Sequence, residues 1–231
     1  MKIKHGMILA AGLGKRMQPI TLKTPKPLIQ IGNKNLLDRA IELLINHGVD
    51  DIAINVHHLA DQIKDFINKN KYKAKITISH EKDTLLDTGG GILNATKSFK
   101  EPFAVVNPDT LWSNAYSNEL RDLEDLYFKQ KKPCLLLVNK NLSHDSSFNG
   151  DFNLKDGIVS KDNNNKFIFT GLQILDQSVF KFIKDKIFSM NDIWNNLIEK
   201  KSLIGTESSQ KFYHLNTKKI YDKILDLNIT D

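Results

Sequence analysis

The first half of the chain alternates short apolar segments with amphipathic segments of helical period, and this alternation restricts the fold most. It predicts a largely parallel sheet with helices on both faces. The clearest helix is Leu36–His47, whose apolar residues recur at helical spacing up to Gly48, a common helix-ending residue. Strands are predicted at Met7–Ala11, Asp51–Val56, Lys75–Ser79 and Pro102–Asn107, and further helices at Leu59–Ile67 and Gly91–Phe99. Right-handed crossovers then place functional loops at the carboxyl edge of the sheet.

The second half is less regular and predicts shorter elements. A helix is expected at Asn118–Lys129 and a buried strand at Cys134–Asn139. The other predicted strands are Phe152–Leu154, Gly157–Ser160 and Phe167–Leu175, and the other helices are Val179–Ile183, Asp192–Lys200 and Lys218–Leu227. Because no repeat or long linker separates the halves, we expect one domain over residues 1–231.

Composition excludes several classes of protein. With 40% hydrophobic residues and a net charge of +6 over 231 residues, the chain is too apolar and too weakly charged to be disordered. No run approaches the ~20 consecutive apolar residues of a membrane helix, so no membrane partner is expected. The lone Cys134 excludes a disulfide framework and a cysteine-cluster metal site. The N-terminal segment lacks the pattern of a signal peptide, and we expect a cytoplasmic protein.

The basic charge does not predict nucleic-acid binding. Of the 33 Lys and Arg residues only Arg16, Arg39 and Arg121 are arginines, and the lysines are spread along the chain. Nucleic-acid binders use arginine for base edges and phosphates and concentrate their cations on one stripe. We therefore expect no nucleic-acid partner.

A glycine-rich turn follows the first predicted strand, within Met7–Met17 (MILAAGLGKRM). Glycine lets backbone N–H groups approach an anion without a Cβ in the way. The dinucleotide fingerprint fails because Met17 stands where a third glycine is needed, and the Walker A motif fails because Arg16 stands where Ser or Thr is needed. The turn is therefore either a tight structural turn or a phosphate-binding loop of another kind.

The next segment, Gln18–Leu28, contains three of the six prolines of the chain, which exclude a helix and predict a stiff extended arm. Lys26 lies between two of these prolines, ten residues after Arg16. Two cations held beside a glycine loop suit a polyanion such as a triphosphate. The alternative is a solvated lysine in a loop, but the prolines remove the flexibility that such a lysine keeps.

Asp109 follows the apolar run Phe103–Val106 and is expected at the carboxyl edge of the sheet. A carboxylate there can hold Mg²⁺ against phosphate oxygens. The alternative is a turn or cap residue after a strand. We favour a metal ligand because Mg²⁺–triphosphate chemistry needs a carboxylate.

The string from Ala10 to Leu28, AAGLGKRMQPITLKTPKPL, resembles the signature of the sugar-1-phosphate nucleotidyltransferases, G-x-G-x-R followed by P-K-x-L. The resemblance implies a Rossmann-like α/β domain, with three α/β/α layers and a mixed, mostly parallel central sheet. It also implies that the glycine loop holds a nucleotide and that two cations neutralise its triphosphate. These nucleotide-binding roles fall on Ala10, Ala11, Gly12, Gly14, Arg16 and Lys26.

Further motifs resemble the N-acetylmuramate-1-phosphate uridylyltransferase group of this family. Leu86–Ile92 (LDTGGGI) resembles its L-E-T-G-G-G-I loop, which lies near the base and sugar. The other matches are Phe103–Asp109 with F-x-x-V-N-G-D, Gly150–Leu154 with G-D-F-x-L, and Phe169–Gly171 with F-S-G. The residues implied to contact the nucleotide are Thr88, Gly89 and Gly90, and those implied to border the sugar are Asn107, Asp151 and Gly171. The implied halves are nucleotide-binding at about 1–110 and sugar-binding at about 111–231.

The sequence does not fix the base or the oligomeric state. His80 and Glu81 lie just before the Thr88–Gly91 loop and are candidate selectors of the base. The resemblance to the N-acetylmuramate-1-phosphate uridylyltransferase group implies UTP as the nucleotide. Mannose-1-phosphate guanylyltransferases and phosphocholine cytidylyltransferases share the first motif, so GTP with mannose 1-phosphate and CTP with phosphocholine are alternatives.

Two positions depart from the family pattern. Pro108 stands where the family has Gly and removes one backbone N–H. Tyr213–Thr217 (YHLNT) stands where the family has V-D-x-G-T, so His214 replaces the second metal carboxylate, although imidazole is a poor ligand for a hard cation. Three hypotheses follow: Asp109 binds Mg²⁺ with substrate oxygens and water; the metal is Mn²⁺ or another softer ion; or the chain has lost turnover and senses nucleotides.

We therefore expect a metal-dependent nucleotidyltransferase that joins the NMP of an NTP to a sugar 1-phosphate and releases pyrophosphate. A phosphate dianion is already a nucleophile, so catalysis consists of alignment and charge neutralisation. Arg16 is expected to hold the β- and γ-phosphates, and Lys26 to bridge the α-phosphate and the acceptor phosphate. Asp109, with His214 beside it, is expected to bind the metal.

Overall fold

A nine-stranded sheet forms the centre of the protein in the computed structural model, which describes residues 1–227. The strands are β1 His5–Ala10, β2 Gln30–Ile31, β3 Lys34–Asn35, β4 Asp51–Val56, β5 Lys75–His80, β6 Phe103–Val106, β7 Cys134–Asn139, β8 Asn153–Lys155, β9 Ile158–Ser160, β10 Phe167–Leu175 and β11 Ile204–Ser208. The helices are α1 Leu36–His47, α2 Ala60–Lys69, α3 Asp87–Thr96, α4 Tyr116–Gln130, α5 Met190–Glu199 and α6 Lys218–Leu225. Strands β2 and β3 form a separate two-stranded ribbon.

The central sheet is mixed, with order β5-β4-β1-β6-β10-β7-β11-β9-β8. Strands β5, β4, β1 and β6 are parallel to one another, as are β7 and β11. Strand β10 is antiparallel to both of its neighbours, β6 and β7. The parallel first half comes from the βαβ alternation, whose crossovers return each strand in the same direction.

Helices cover both faces of this sheet. On one face, apolar side chains of β1 and β4 such as Ile8 and Ile54 pack against α1, α2 and α4. On the other face, Met7 and Ala53 pack against α3, α5 and the turn before α5. Alternate residues of each strand thus serve opposite layers, as the pleat requires. The predicted three-layer, Rossmann-like architecture with a mixed sheet is confirmed.

Helix α1 shows how local sequence sets these boundaries. The Asn35 side chain accepts a hydrogen bond from the Asp38 amide at 2.8 Å and caps the start of the helix. Gly48 ends it with a φ of 102°, a left-handed conformation that glycine adopts without a Cβ penalty. The predicted limits of this helix agree with the structure.

Three expectations about local structure were wrong. The Thr88–Gly91 segment is not a loop, because α3 already begins at Asp87 and contains the glycines. The Gln18–Leu28 arm is not extended but folds into short 3-10 turns at Ile20–Leu22 and Lys26–Leu28. Proline excludes the α-helical interior but fits the first residues of such turns. A short 3-10 turn at Gln177–Phe180 replaces the helix expected at Val179–Ile183.

Within residues 1–227, no helix combines the length and the apolar character needed to cross a membrane. The expected cytoplasmic location stays a prediction, as does the division into a nucleotide-binding and a sugar-binding half.

Candidate active site

A cleft of about 350 Å³ opens at the carboxyl edge of the sheet, where β1, β4 and β6 end. This is the edge at which open α/β sheets bind ligands. Its lining residues come from the glycine loop, the proline segment, the start of α3 and the loop after β6. They are Leu9, Ala10, Ala11, Gly12, Gly14, Lys15, Arg16, Met17, Lys26, Pro27, Leu36, Asn55, Leu85, Asp87, Thr88, Asn107, Pro108, Asp109 and Asn216.

Two glycines shape the glycine loop: one has a left-handed backbone conformation, and the other has empty space beside it. Gly14 has a φ of +62°, and a Cβ there would lie 2.8 Å from the Thr21 side chain. The Thr21 hydroxyl donates to the Gly14 carbonyl at 2.9 Å and fixes the turn. Gly12 has no neighbouring atom within 4 Å of a built Cβ, so the space beside it is open to a ligand. Arg16 follows on an exposed 3-10 turn and lines the cleft.

Lys26 reaches Asp109 across the cleft. Its Nζ atom lies 2.7 Å from Asp109 Oδ2, and both side chains are mostly buried. The flanking Pro25 and Pro27 set the turn that starts at Lys26, and buried Pro27 anchors it. The proline segment therefore presents its lysine to the end of β6, although the segment itself is not extended.

His214 joins the same carboxylate from the C-terminal region. Residues 109–111 and 213–215 pair in antiparallel fashion, through Leu111 N to Tyr213 O and Leu215 N to Asp109 O, both 2.8 Å. This pairing puts His214 Nε2 at 3.0 Å from Asp109 Oδ2, so the histidine does lie beside the carboxylate. We call Lys26, Asn107, Asp109, His214 and Asn216 the Asp109 cluster.

The environment of Asp109 favours its ionised form. Burial alone raises the pKa of a carboxyl, but the positive charge of Lys26 and the hydrogen bonds from Lys26 and His214 outweigh it, so the pKa of Asp109 lies well below its ordinary value. The cleft thus favours an ionised carboxylate at this position.

Three polar atoms of the Asp109 cluster are buried and have no hydrogen-bond partner within residues 1–227: Asn107 Oδ1, Asn216 Oδ1 and His214 Nδ1. Asn216 is held by its other end, because its Nδ2 donates to Asp145 Oδ2 at 2.8 Å. Asn107 is held through its backbone N–H, which donates to the Gly171 carbonyl at 2.8 Å. The cluster therefore contains two unpaired oxygen acceptors in addition to its one carboxylate.

The described residues offer a metal few protein ligands. No group of three or more His, Cys, Asp or Glu side chains in residues 1–227 is arranged to hold a metal ion. Mg²⁺ commonly uses one or two carboxylates and takes its other ligands from phosphate and water. Asp109, with amide oxygens nearby, fits that mode of binding.

The opposite side of the cleft is formed by the start of α3. Leu85, Asp87 and Thr88 line the cleft, but Gly89 and Gly90 do not. Both glycine amides donate to the Phe188 carbonyl, at 3.0 and 3.1 Å, and a Cβ on either would overlap residues 186–188. The structure therefore assigns the glycine run to close packing within the protein, whereas the resemblance implies that Gly89 and Gly90 contact the nucleotide.

The candidate base selectors also lie away from the cleft lining. Glu81 is only 4% exposed, and its two carboxylate oxygens accept from Asn55 Nδ2 and the Leu86 amide, at 2.7 and 2.8 Å. His80 contacts Lys64 instead. Asn55 was missed by sequence reasoning, although an amide within the apolar strand Asp51–Val56 is a signal that could have identified it.

The residues assigned to the sugar are divided by the structure. Asn107 lines the cleft, and Gly171 packs beneath it with a φ of +94°. Asp151 does not line the cleft, and its carboxylate accepts from the Phe169 amide at 2.9 Å. Of the three, only Asn107 is brought to the Asp109 cluster. The roles predicted for the individual site residues stay predictions.

Several known proteins are similar to this chain in sequence or in fold. The family model described as "Nucleotidyl transferase" matches residues 5–144. The N-acetylmuramate alpha-1-phosphate uridylyltransferase of Caulobacter vibrioides is 29% identical over 92% of this chain and 91% of that protein. The protein of the same name from Neisseria meningitidis serogroup B is 33% identical over 77% of this chain and 78% of its own length.

A similar solved structure is that of a UDP-glucose pyrophosphorylase complexed with UDP-glucose. It superposes with a TM-score of 0.80 and 22% sequence identity, covering 97% of this chain and 98% of the other. At that identity the similarity establishes the shared fold.

Proposed function

This chain belongs to the nucleotidyl transferase family, and we propose that it transfers UMP from UTP to a sugar 1-phosphate, with N-acetylmuramate 1-phosphate as the favoured acceptor. One observation carries the proposal: Lys26 and Asp109 meet 2.7 Å apart in the cleft that the glycine loop and Arg16 also line. The two relatives named for this reaction, each similar over most of this chain, support the choice of UTP and acceptor.

The reaction is an in-line displacement at the α-phosphorus. An oxygen of the acceptor phosphate forms a bond to the α-phosphorus, and the bond from that phosphorus to the oxygen bridging the β-phosphate breaks. The bonding electron pair leaves with pyrophosphate, and the product is a UDP-sugar. The attacking phosphate is already anionic, so no side chain has to remove a proton.

The protein's contribution is position and charge. Gly12 offers its backbone N–H to the triphosphate without an obstructing Cβ, and Ala11 lines the cleft beside it. Arg16 neutralises the β- and γ-phosphates that leave together. Lys26 lies where the α-phosphate and the acceptor phosphate meet, and its charge offsets their mutual repulsion.

Proteins of this family typically depend on a divalent metal. We propose that Asp109 holds Mg²⁺ or Mn²⁺ together with substrate oxygens and water, because its carboxylate is ionised and oxygen acceptors of Asn107 and Asn216 are unpaired within the described residues. When bound, the ion withdraws negative charge from the triphosphate.

A second candidate function is a nucleotide sensor without turnover. It is favoured by His214, which occupies the position beside Asp109 where the family pattern has a carboxylate. In the sensor, NTP binds to the glycine loop, but acceptor and metal are not aligned for transfer.

A panel of reactions separates these functions. The purified protein is mixed with UTP, GTP, CTP or ATP and with N-acetylmuramate 1-phosphate, mannose 1-phosphate, glucose 1-phosphate or phosphocholine, in Mg²⁺ and in Mn²⁺, and pyrophosphate release is measured. We expect the highest kcat/KM with UTP and N-acetylmuramate 1-phosphate. A clear preference for GTP with mannose 1-phosphate, or CTP with phosphocholine, overturns the substrate assignment. Micromolar NTP binding without pyrophosphate in any combination establishes the sensor.

A further inference from the structure

A buried polar network connects two segments on opposite sides of the cleft. The Ala10 amide donates to Asn55 Oδ1 at 2.8 Å, and Asn55 Nδ2 donates to Glu81 Oε1 at 2.7 Å. The Leu86 amide donates to Glu81 Oε2 at 2.8 Å. We call these three hydrogen bonds the Asn55–Glu81 network. Ala10 is the last residue of β1, directly before the glycine loop, and Leu86 lies between the cleft-lining residues Leu85 and Asp87.

The direction of each hydrogen bond follows from the chemistry of its two ends. A main-chain N–H can only donate, so the Asn55 atom facing Ala10 must be the oxygen, and its nitrogen then faces Glu81. Both oxygens of Glu81 must therefore accept, one from Asn55 and one from Leu86. A carboxylate meets this requirement, but a neutral amide does not, because its nitrogen would face a second donor.

The network is almost completely buried, although Asn55 also lines the cleft. Asn55 is 2% exposed and Glu81 is 4% exposed. Gly91 of α3 lies against them, and a Cβ there would come within 2.6 Å of Asn55 Nδ2 and 2.9 Å of Glu81 Oε1. Absence of a side chain at Gly91 thus makes room for the network. In such an environment hydrogen bonds are strong and unpaired donors are costly, so the geometry is rigid.

We infer that Asn55 and Glu81 are positioning residues that hold the glycine loop and the start of α3 at a fixed separation, and so set the width of the nucleotide cleft. Each of their four side-chain nitrogen and oxygen atoms is already paired within the protein. Glu81 thus acts on the nucleotide through the backbone of residues 85–87, and it does not select the base. This inference rests on the proposed function for its kinetic readout.

The test exchanges the amide of Asn55 and the carboxylate of Glu81. In Glu81→Gln, two N–H groups oppose each other somewhere in the network whichever way the amides are turned. In Asn55→Asp, two carboxylates oppose each other. In the double variant Asn55→Asp/Glu81→Gln, the new carboxylate at position 55 accepts from the Ala10 amide and from the new side-chain amide at position 81. The oxygen of that side-chain amide accepts from Leu86. All three hydrogen bonds and the total charge are restored.

We expect the KM for UTP to rise about tenfold in each single variant, the loss that one unpaired buried donor produces, with a smaller change in kcat. The double variant returns to within about threefold of the wild-type KM. Glu119→Gln is the matched control, because Glu119 is also buried but accepts from the Ser208 hydroxyl and the Ser209 main-chain N–H. The Ser208 hydroxyl can accept from the new amide instead of donating, so no donor is left unpaired. Amide hydrogen exchange at residues 10 and 86 should quicken in the single variants and slow again in the double variant.

Three outcomes overturn the inference. If Glu81→Gln changes the ranking of UTP, GTP and CTP and the double variant keeps that change, Glu81 reads the base directly. If melting temperature falls but KM is unchanged among folded molecules, the network is only structural. If the double variant is no better than the single ones, the hydrogen-bond order given above is wrong. Should the wild type release no pyrophosphate, the proposed function fails, and the exchange rates and UTP dissociation constants of the wild type and the four variants still decide this inference.

Discussion

Two buried polar groups of residues occupy the same edge of the sheet and differ in how completely they are paired. In the Asn55–Glu81 network every side-chain nitrogen and oxygen has a protein partner. In the Asp109 cluster, three atoms have none within residues 1–227, while Lys26 and His214 share a single oxygen of Asp109. An unpaired buried polar atom costs about 1–3 kcal/mol. The first group therefore stabilises the protein, whereas the second leaves polar atoms that the proposed ligands can pair with.

The largest effect on turnover is expected in the Asp109 cluster. Lys26→Ala removes the cation that we propose lies nearest the reacting phosphates, and kcat should fall by roughly 10²–10³, the scale for one transition-state donor. Lys23→Ala is the matched control, since Lys23 lies on the same segment but is exposed and does not line the cleft. Pyrophosphate release at saturating UTP measures both. Turnover of Lys26→Ala within threefold of the control would contradict the role given to Lys26.

Replacing one asparagine of each group by alanine tests the comparison between the Asn55–Glu81 network and the Asp109 cluster. Asn55→Ala leaves the Ala10 amide and Glu81 Oε1 unpaired, and the free energy of unfolding should fall by about 2–4 kcal/mol. Asn107→Ala removes an oxygen that has no partner within the described residues, so the relieved cost offsets the lost packing and the free energy of unfolding should not fall. Urea denaturation gives both values. Equal losses at the two positions would show that the pairing of polar atoms does not separate the groups.

The smallest effect is expected at His214. His214→Asp restores the carboxylate of the family pattern, and a second hard ligand should lower the Mg²⁺ concentration for half-activation by about tenfold. It also places two carboxylates together, so melting temperature should fall in EDTA and rise more with Mg²⁺ than in the wild type. His80→Asp, outside the cleft lining, is the control for an added charge. A variant that responds to Mg²⁺ as the wild type does would exclude metal contact at position 214.

The two groups also differ in how far the sequence predicts them. Asn107 was predicted from the family resemblance, whereas Asp109 and Lys26 were predicted because one follows a strand and the other stands between prolines, and ligand chemistry requires their residue types. Arg16 and Gly12 were predicted for the same reason. The alternation of apolar segments likewise predicts the parallel half of the sheet and the limits of α1.

The Asn55–Glu81 network could not be predicted from the sequence in the same way. Its geometry depends on three strands lying in register, so that Asn55 of β4 meets the residue after β5 and the end of β1. Glu81 looked like a base selector by its position in the chain, and the glycines of α3 looked like a ligand loop. Their burial against Asn55 and residues 186–188 arises only in the folded protein. Long-range packing, not local propensity, decides such roles.

The pairing of residues 109–111 with 213–215 has a consequence for how the protein is made. The glycine loop and the proline segment lie close together in the chain, between β1 and α1. His214 and Asn216 are synthesised long after Asp109, and the pairing that brings them to it spans most of the second half. The glycine loop and the proline segment depend on the same late region, because Met17 and Ile31 lie in one apolar cluster with Leu215 and Ile220. The cleft can therefore take its final form only after residues 213–224 have been made and have packed against it.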